Sequence, residues 1–222
     1  MNNTMKNLKD EIEGKMEVNK IYTGDCLEVL KGVESGSVDL IIVDPPYEQG
    51  FESLFSLLKS KLKDNGQLLW FVQPTELYNL PEKPHQILIW EEPMSPKPNR
   101  RKYREFLDII AWYAYGDYVF NNLMWNLMNS RFNDQIIRKE RLHKWEKPQS
   151  LIERLLLIHT NEENIVLDPF LGSGTTAVAC KELGRNYIGI ELSPEYVKIA
   201  ENRLRATTPP LFTQQSLDGV DE

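Results

Sequence analysis

Two short stretches carry residues whose types and spacing could do chemistry. In the first, Asp168-Pro169-Phe170-Leu171-Gly172-Ser173-Gly174 follows the apolar run Ile165-Val166-Leu167 and leads into a helical pattern from Thr175 to Leu183, with Ser173 as the expected cap and Gly184 as the expected stop. Tyr187 to Ile190 then forms a second apolar strand that finishes on Glu191. Gly172 and Gly174 would let a ligand approach backbone N–H groups at the start of the helix, and Glu191 can accept hydrogen bonds from a ribose diol. In the second stretch, the β-branched run Val38 to Val43 stops at Asp44-Pro45-Pro46-Tyr47. Two consecutive prolines remove two backbone donors and restrict φ, so the carbonyls of Asp44 and Pro45 can point into a cleft beyond the strand. The Asp44 carboxylate and the flat ring of Tyr47 stand beside them.

The glycine unit admits more than one ligand. Gly172-x-Gly174-x-x-Ala177 satisfies a nicotinamide-dinucleotide fingerprint, with Glu191 near the usual offset of about 20 residues. That fold needs further strands after the fingerprint, whereas the sequence beyond Glu191 has room for one helix and a polar tail. A phosphate-binding loop fails because no Lys-Ser or Lys-Thr follows the glycines. An adenosine with a cationic, carboxylate-bearing tail remains, which is S-adenosylmethionine. Alone, Asp-Pro-Pro is more often a proline-rich turn; together with the glycine unit it reads as the reacting half of one site.

The 222 residues, 41% hydrophobic and 27% charged, suit one α/β domain with a sizeable core. No apolar run approaches the roughly 18 residues of a membrane span, and the polar N-terminus lacks the apolar core of a signal peptide, so a cytoplasmic protein without membrane contact is expected. Cys26 and Cys180 are too few for a disulfide framework, and His85, His143 and His159 show no ligand spacing, so no metal is expected. Net charge is −7, yet Ser95 to Lys147 holds eleven Lys/Arg and six Asp/Glu, net +5. Such asymmetry suits a basic face on an acidic body and equally an ordinary solvated loop.

The elements that must position these groups can be placed from pattern. Ile21-Tyr22 begins the fold and runs into Gly24-Asp25-Cys26, where Asp25 is a natural helix N-cap. Phe51, Leu54, Phe55, Leu58 and Leu62 form one apolar helix face, and Asn65-Gly66 turns the chain into the strand Leu68 to Val72. His85 to Trp90 and Phe106 to Tyr115, joined by the basic KPNRRKYR, would make an antiparallel pair at one sheet edge. Lys147-Pro148 opens a helix carrying Leu151, Leu155, Ile158 and His159, where Lys147 could meet a ligand carboxylate or simply precede a helix start. Ser193-Pro194 opens the last helix, and the polar segment after it should be disordered.

GDCLEVL from Gly24, DPPY from Asp44 and DPFLGSGTT from Asp168 resemble the motifs of the amino-methylating DNA methyltransferases, and their order resembles the permuted β-group. HKWEKPQSL resembles the family's His-x-x-Gln-Lys-Pro element, with Glu146 where Gln is usual. The resemblance spans about Ile21 to Leu204. It implies a class I S-adenosylmethionine-dependent fold: a seven-stranded, mostly parallel sheet with one antiparallel edge strand, in circularly permuted order. A polar tail over 1–20 would precede one domain over 21–205, divided into a catalytic half (21–115), a target-recognition insert (116–142) and a cofactor half (143–205), and a disordered tail would cover 206–222.

By the same resemblance Asp168, Pro169, Phe170, Gly172, Gly174 and Thr175 line the cofactor, Glu191 takes the ribose, Asp25 with Cys26 meets the adenine, and Lys147 lies near the methionine end. Asp44, Pro45, Pro46 and Tyr47 would hold the exocyclic amine of a base flipped out of double-stranded DNA, most simply adenine N6, with cytosine N4 as the alternative and RNA or protein-amide methylation or a non-catalytic binding module further off. Lys97, Arg100, Arg101, Lys102 and Arg104 would contact phosphates, and Asn121, Asn126 and Arg131 base edges. So small a reading set implies a recognition site of about four base pairs or fewer. A homodimer is left open.

Overall fold

Residues 16–46, 51–91, 107–121, 131–132 and 147–209 are described by the computed structural model, apart from the side chains of Phe51, Leu107, Arg131 and Phe132. In chain order the elements are β1 (Lys20–Thr23), α1 (Cys26–Val29), β2 (Val38–Val43), α2 (Phe51–Lys61), β3 (Leu62–Val72), β4 (Gln86–Glu91), β5 (Leu107–Ala114), β6 (Arg131–Phe132), α3 (Gln149–His159), β7 (Ile165–Asp168), α4 (Thr175–Glu182), β8 (Asn186–Glu191) and α5 (Pro194–Ala206). Single 3-10 turns follow α1 and β3. Among the described residues no helix is long and apolar enough to cross a membrane.

The strands form one sheet in the order β1-β8-β7-β2-β3-β5-β4-β6. From β1 to β3 every pairing is parallel, while β5 runs antiparallel to both β3 and β4. This is the expected seven-stranded, mostly parallel sheet, with the antiparallel strand lying one place in from β4. Arg131–Phe132 adds a short eighth strand beside β4, so part of the segment expected to be a separate recognition insert belongs to the sheet.

Alternation along the central strands divides the core between the two faces. Ile41, Val43, Leu68 and Trp70 pack with Val29, Leu30, Leu54, Phe55 and Leu58 of α1, the turn after it and α2. Leu40, Ile42, Leu69 and Phe71 pack on the other face with Leu151, Leu155, Ala177, Cys180 and Ala200 of α3, α4 and α5. Burying both faces leaves the strand ends as the place where polar side chains can gather.

Two local expectations change. β3 begins at Leu62, because a two-residue step on β2 from Val38 to Leu40 faces a five-residue step on β3 from Leu62 to Gln67. Asn65-Gly66 therefore sits within an irregular strand instead of turning the chain into one. Ser173 does not cap α4; the cap position is Gly174 in the left-handed region, φ 89°, and the Ser173 hydroxyl instead accepts from Arg203 Nη1 of α5 at 3.0 Å. Asp25 caps α1 as expected, its Oδ1 accepting from Leu27 N–H at 2.9 Å and Glu28 N–H at 3.3 Å.

Candidate active site

Because β2 and β7 pair in parallel, with Leu40 opposite Val166 and Ile41 opposite Leu167, the ends of both strands open on one side of the sheet. Asp44 leaves β2 there and Asp168 closes β7 there. Between them and the end of β8 lies a cavity of about 580 Å³. Asp25, Cys26, Asp44, Pro45, Pro46, Lys147, Asp168, Pro169, Phe170, Gly172, Thr175 and Glu191 all line it. Motifs from distant parts of the chain thus meet at the carboxyl ends of neighbouring strands, the position where open α/β sheets bind ligands.

On the glycine side, backbone holds the charges. Glu191 accepts from Gly172 N–H through Oε2 and from Ser193 N–H through Oε1, both at 2.8 Å. Each oxygen keeps a second lone pair, as bidentate acceptance from a diol requires. Asp168 accepts from Phe170 N–H at 3.0 Å and from the Thr176 hydroxyl at 2.6 Å. Burial pushes the Asp168 carboxyl up to about 7; those two hydrogen bonds pull it back in part, and the charges of Asp44 and Glu191 add to the rise.

The two glycines of the loop separate in role. A Cβ on Gly172, where φ is 56°, would meet nothing closer than the Phe170 carbonyl at 4.0 Å, so this backbone stands open beside the cavity. A Cβ on Gly174 would come within 2.6 Å of Ala200 Cβ, and Gly174 is not among the cavity-lining residues. The absent side chain lets α5 pack against the start of α4, which accounts for this glycine without a ligand. Arg203 of α5 completes that support, donating through Nη1 to the Ser173 carbonyl at 3.0 Å and the Thr175 hydroxyl at 3.2 Å.

On the Asp44 side, side chains hold the charges. Lys147 Nζ lies 3.0 Å from Asp44 Oδ2 and 3.0 Å from Asp108 Oδ2, with the rings of Phe71 and Trp90 at 4.9 and 5.6 Å. The sequence left Lys147 either to meet a ligand carboxylate or simply to precede a helix; two carboxylates of the protein flank it. Pro45 is buried and Pro46 exposed at the mouth. Cys26 is the one thiol lining the cavity, and burial, with the charge of Asp25, pushes it up to about 11, which leaves it protonated and a poor nucleophile at neutral pH.

Sequence reasoning missed Asp108, Thr176, Phe71, Leu192 and Arg203. Only Asp108 carried a signal, as the acidic residue in an otherwise apolar strand. Leu192, 68% exposed beside Glu191, offers an apolar surface at the cavity rim. His159 is buried at the end of α3. Burial pushes it down to about 3, and its Nδ1 lies 3.0 Å from Gln67 Oε1, which also accepts from Trp112 Nε1 at 2.9 Å. That contact ties the end of α3 to β3 and β5.

The DNA-facing expectations fare differently. Tyr47, Lys97, Arg100, Arg101, Lys102, Arg104 and Asn126, and the side chain of Arg131, lie outside the described residues. Asn121 is corrected: its Nδ2 donates to the carbonyls of Leu157 and Thr160, both at 2.9 Å, and its N–H to Ile158 O at 2.8 Å. The last carbonyls of a helix lack internal partners, and Asn121 supplies them for α3.

Asp25, Asp44, Asp168 and Glu191 against Lys147, set among apolar walls, make a cavity that suits an adenosine with a positively charged tail and disfavours a polyphosphate. A DNA methylase family model for adenine-N6 and cytosine-N4 methyltransferases matches residues 38–202. The type II methyltransferase M2.MboI of Moraxella bovis is 28% identical over 244 aligned residues, covering 86% of this chain and 89% of that protein. The crystal structure of the M1.HpyAVI–SAM complex superposes with a TM-score of 0.70 at 29% identity, covering 83% of this chain and 98% of that one. The cytosine-N4-specific PvuII DNA methyltransferase shares the fold alone, with a TM-score of 0.68 at 16% identity over 90% of this chain and 89% of that one. Geometry and similarity converge on one conclusion: the chain belongs to the DNA methylase family that methylates exocyclic amines of adenine or cytosine with S-adenosylmethionine as the donor.

Proposed function

We propose that this protein methylates adenine N6 in double-stranded DNA, on a base turned out of the helix and presented to Asp44 and the Pro45 carbonyl. The observation that carries the proposal is Asp44 lining the cavity, just beyond the end of the strand next to the one that ends in Asp168. The cofactor supplies an electrophilic methyl group carried on a sulfonium. Glu191 would hold its ribose, Asp25 its adenine amine, and Gly172 and Phe170 its remaining contacts, in the same cavity that Asp44 lines. A paired base cannot reach that point within a duplex, hence the flipping, with Tyr47 the aromatic surface available to stack on it.

An exocyclic amine is a weak nucleophile because its lone pair is delocalised into the ring. Two acceptors aimed at its N–H groups favour the tetrahedral nitrogen and free the lone pair to form the N–C bond as the methyl–sulfur bond breaks and the sulfur leaves as a neutral thioether; they stabilise the positive charge on nitrogen until one N–H proton passes to Asp44 or to solvent. Burial disfavours the Cys26 thiolate, which supports direct transfer over a cysteine adduct at this cavity. Asp at the first position of this motif accompanies adenine more often than cytosine in the family that the motifs resemble, and this favours N6. Mass spectrometry of nucleosides after reaction with isotopically labelled cofactor tests the choice: N6-methyladenine is expected, and N4-methylcytosine as the sole product would refute it.

A further inference from the structure

Asp108 is far from every motif in the sequence, yet it shares one ammonium with the proposed acceptor. It lies near the start of β5, opposite Trp90 of β4, and its Oδ2 is 3.0 Å from Lys147 Nζ, the same distance as Asp44 Oδ2 from that atom. The side chains are shielded from water, with exposures of 12% for Lys147, 26% for Asp44 and 24% for Asp108. Phe71 and Trp90 present ring faces to the ammonium, which leaves little room for water to screen it.

In such a setting the strength of Asp44 as an acceptor depends on how completely Lys147 neutralises it. An ammonium facing Asp44 alone would place its whole charge on the carboxylate that must accept from the target amine. A second carboxylate on the same ammonium divides that charge. The three groups together carry one net negative charge, which also suits a site where positive charge develops on the amine nitrogen. We propose that Asp108 is a positioning residue that, through Lys147, keeps Asp44 a strong hydrogen-bond acceptor. This rests on the assignment of Asp44 as the acceptor of the target amine and extends it to a residue outside the cavity lining.

The test compares Asp108→Asn, Lys147→Met and the double variant with wild type under saturating DNA and cofactor, with cofactor affinity measured by calorimetry on the same preparations. Asp108→Asn should lower kcat about tenfold, a fraction of what direct loss of an electrostatic contact costs, and leave the cofactor Kd within about twofold. Asp108→Glu should recover most of the rate. The double variant should be no slower than Lys147→Met, since Asp108 acts through that ammonium. Unchanged kcat in Asp108→Asn overturns the proposal, as does a double variant whose losses multiply. Should Asp108→Asn fail to fold, Asp108→Glu takes its place: a smaller loss confined to kcat and absent in the Lys147→Met background supports the proposal, and a loss that persists there overturns it. Asp44→Asn in the same assay separates the two levels. If it is inactive while Asp108→Asn is not impaired, only the role of Asp108 fails; if Asp44→Asn keeps its rate, the acceptor assignment fails and takes the proposal with it.

Discussion

On the glycine side of the cavity, Glu191 and Asp168 are fixed by N–H groups of Gly172, Ser193 and Phe170 and by the Thr176 hydroxyl. On the opposite side, Asp44 is fixed by Lys147, which is itself fixed by Asp108 and by contact with Phe71 and Trp90. A carboxylate held by its own loop keeps its place when distant residues change. A carboxylate held through a lysine depends on β2, β5 and the segment before α3 all at once. The first arrangement suits a ligand that is the same in every turnover, and the second places the proposed acceptor of the target amine where substitutions far away in sequence can tune it.

The difference implies separable failures. Asp44→Ala removes the acceptor and should lower the methylation rate by at least about a hundredfold, the scale for losing one preorganised electrostatic contact. Single-turnover transfer to DNA measures it, and a rate near wild type would remove Asp44 from the chemistry. The glycine side should respond to pH instead. Asp168 has a folded value of about 7 against an ordinary carboxyl value of 3.8. Because the folded value is raised, its contribution to stability is present below about 3.8 and is lost as pH rises toward about 7. A cationic cofactor favours the charged carboxylate, so its affinity should rise as pH passes through about 7 and be about tenfold weaker at pH 6 than at pH 8, one pK unit below and above that midpoint. The thioether product, which lacks the sulfonium charge, should show a shallower dependence, and Asp168→Asn should flatten it. An affinity for the cofactor that is independent of pH would contradict the assignment of Asp168.

The smallest effect is expected away from the cavity. Asn121→Ala should cost about 1 kcal/mol of stability through lost bonds to the end of α3. It should leave the methylated sequence context unchanged. Urea unfolding and sequencing of the modified sites give the two readouts, and an altered context would return Asn121 to base recognition.

What could be read from the sequence follows the same division. Asp168, Gly172 and Glu191 are legible because a strand, a turn and a helix in immediate succession put them together, and the apolar runs on either side mark the strands. Asp44 is legible only because Asp-Pro-Pro, which alone reads as a proline-rich turn, ends an apolar strand in a chain that also carries the glycine unit. Asp108 shows only as an acidic residue in an apolar strand, since what it meets depends on β5 lying between β3 and β4, which no local pattern states. Gly174 misleads for a related reason: a glycine that admits a ligand and a glycine that admits a neighbouring helix look alike until Ala200 is in place. Asn121 misleads because an amide suited to a base edge is equally suited to helix carbonyls, and the nearest carbonyls win.

Titrating S-adenosylmethionine into Asp44→Ala and Glu191→Ala side by side tests most directly whether the cavity has two independent halves. Asp44→Ala should bind within about twofold of wild type, while Glu191→Ala, losing charge-assisted hydrogen bonds worth about 1.5–3 kcal/mol, should bind roughly ten- to a hundredfold more weakly. Equal losses in both variants, or an unchanged Kd in Glu191→Ala, would contradict it.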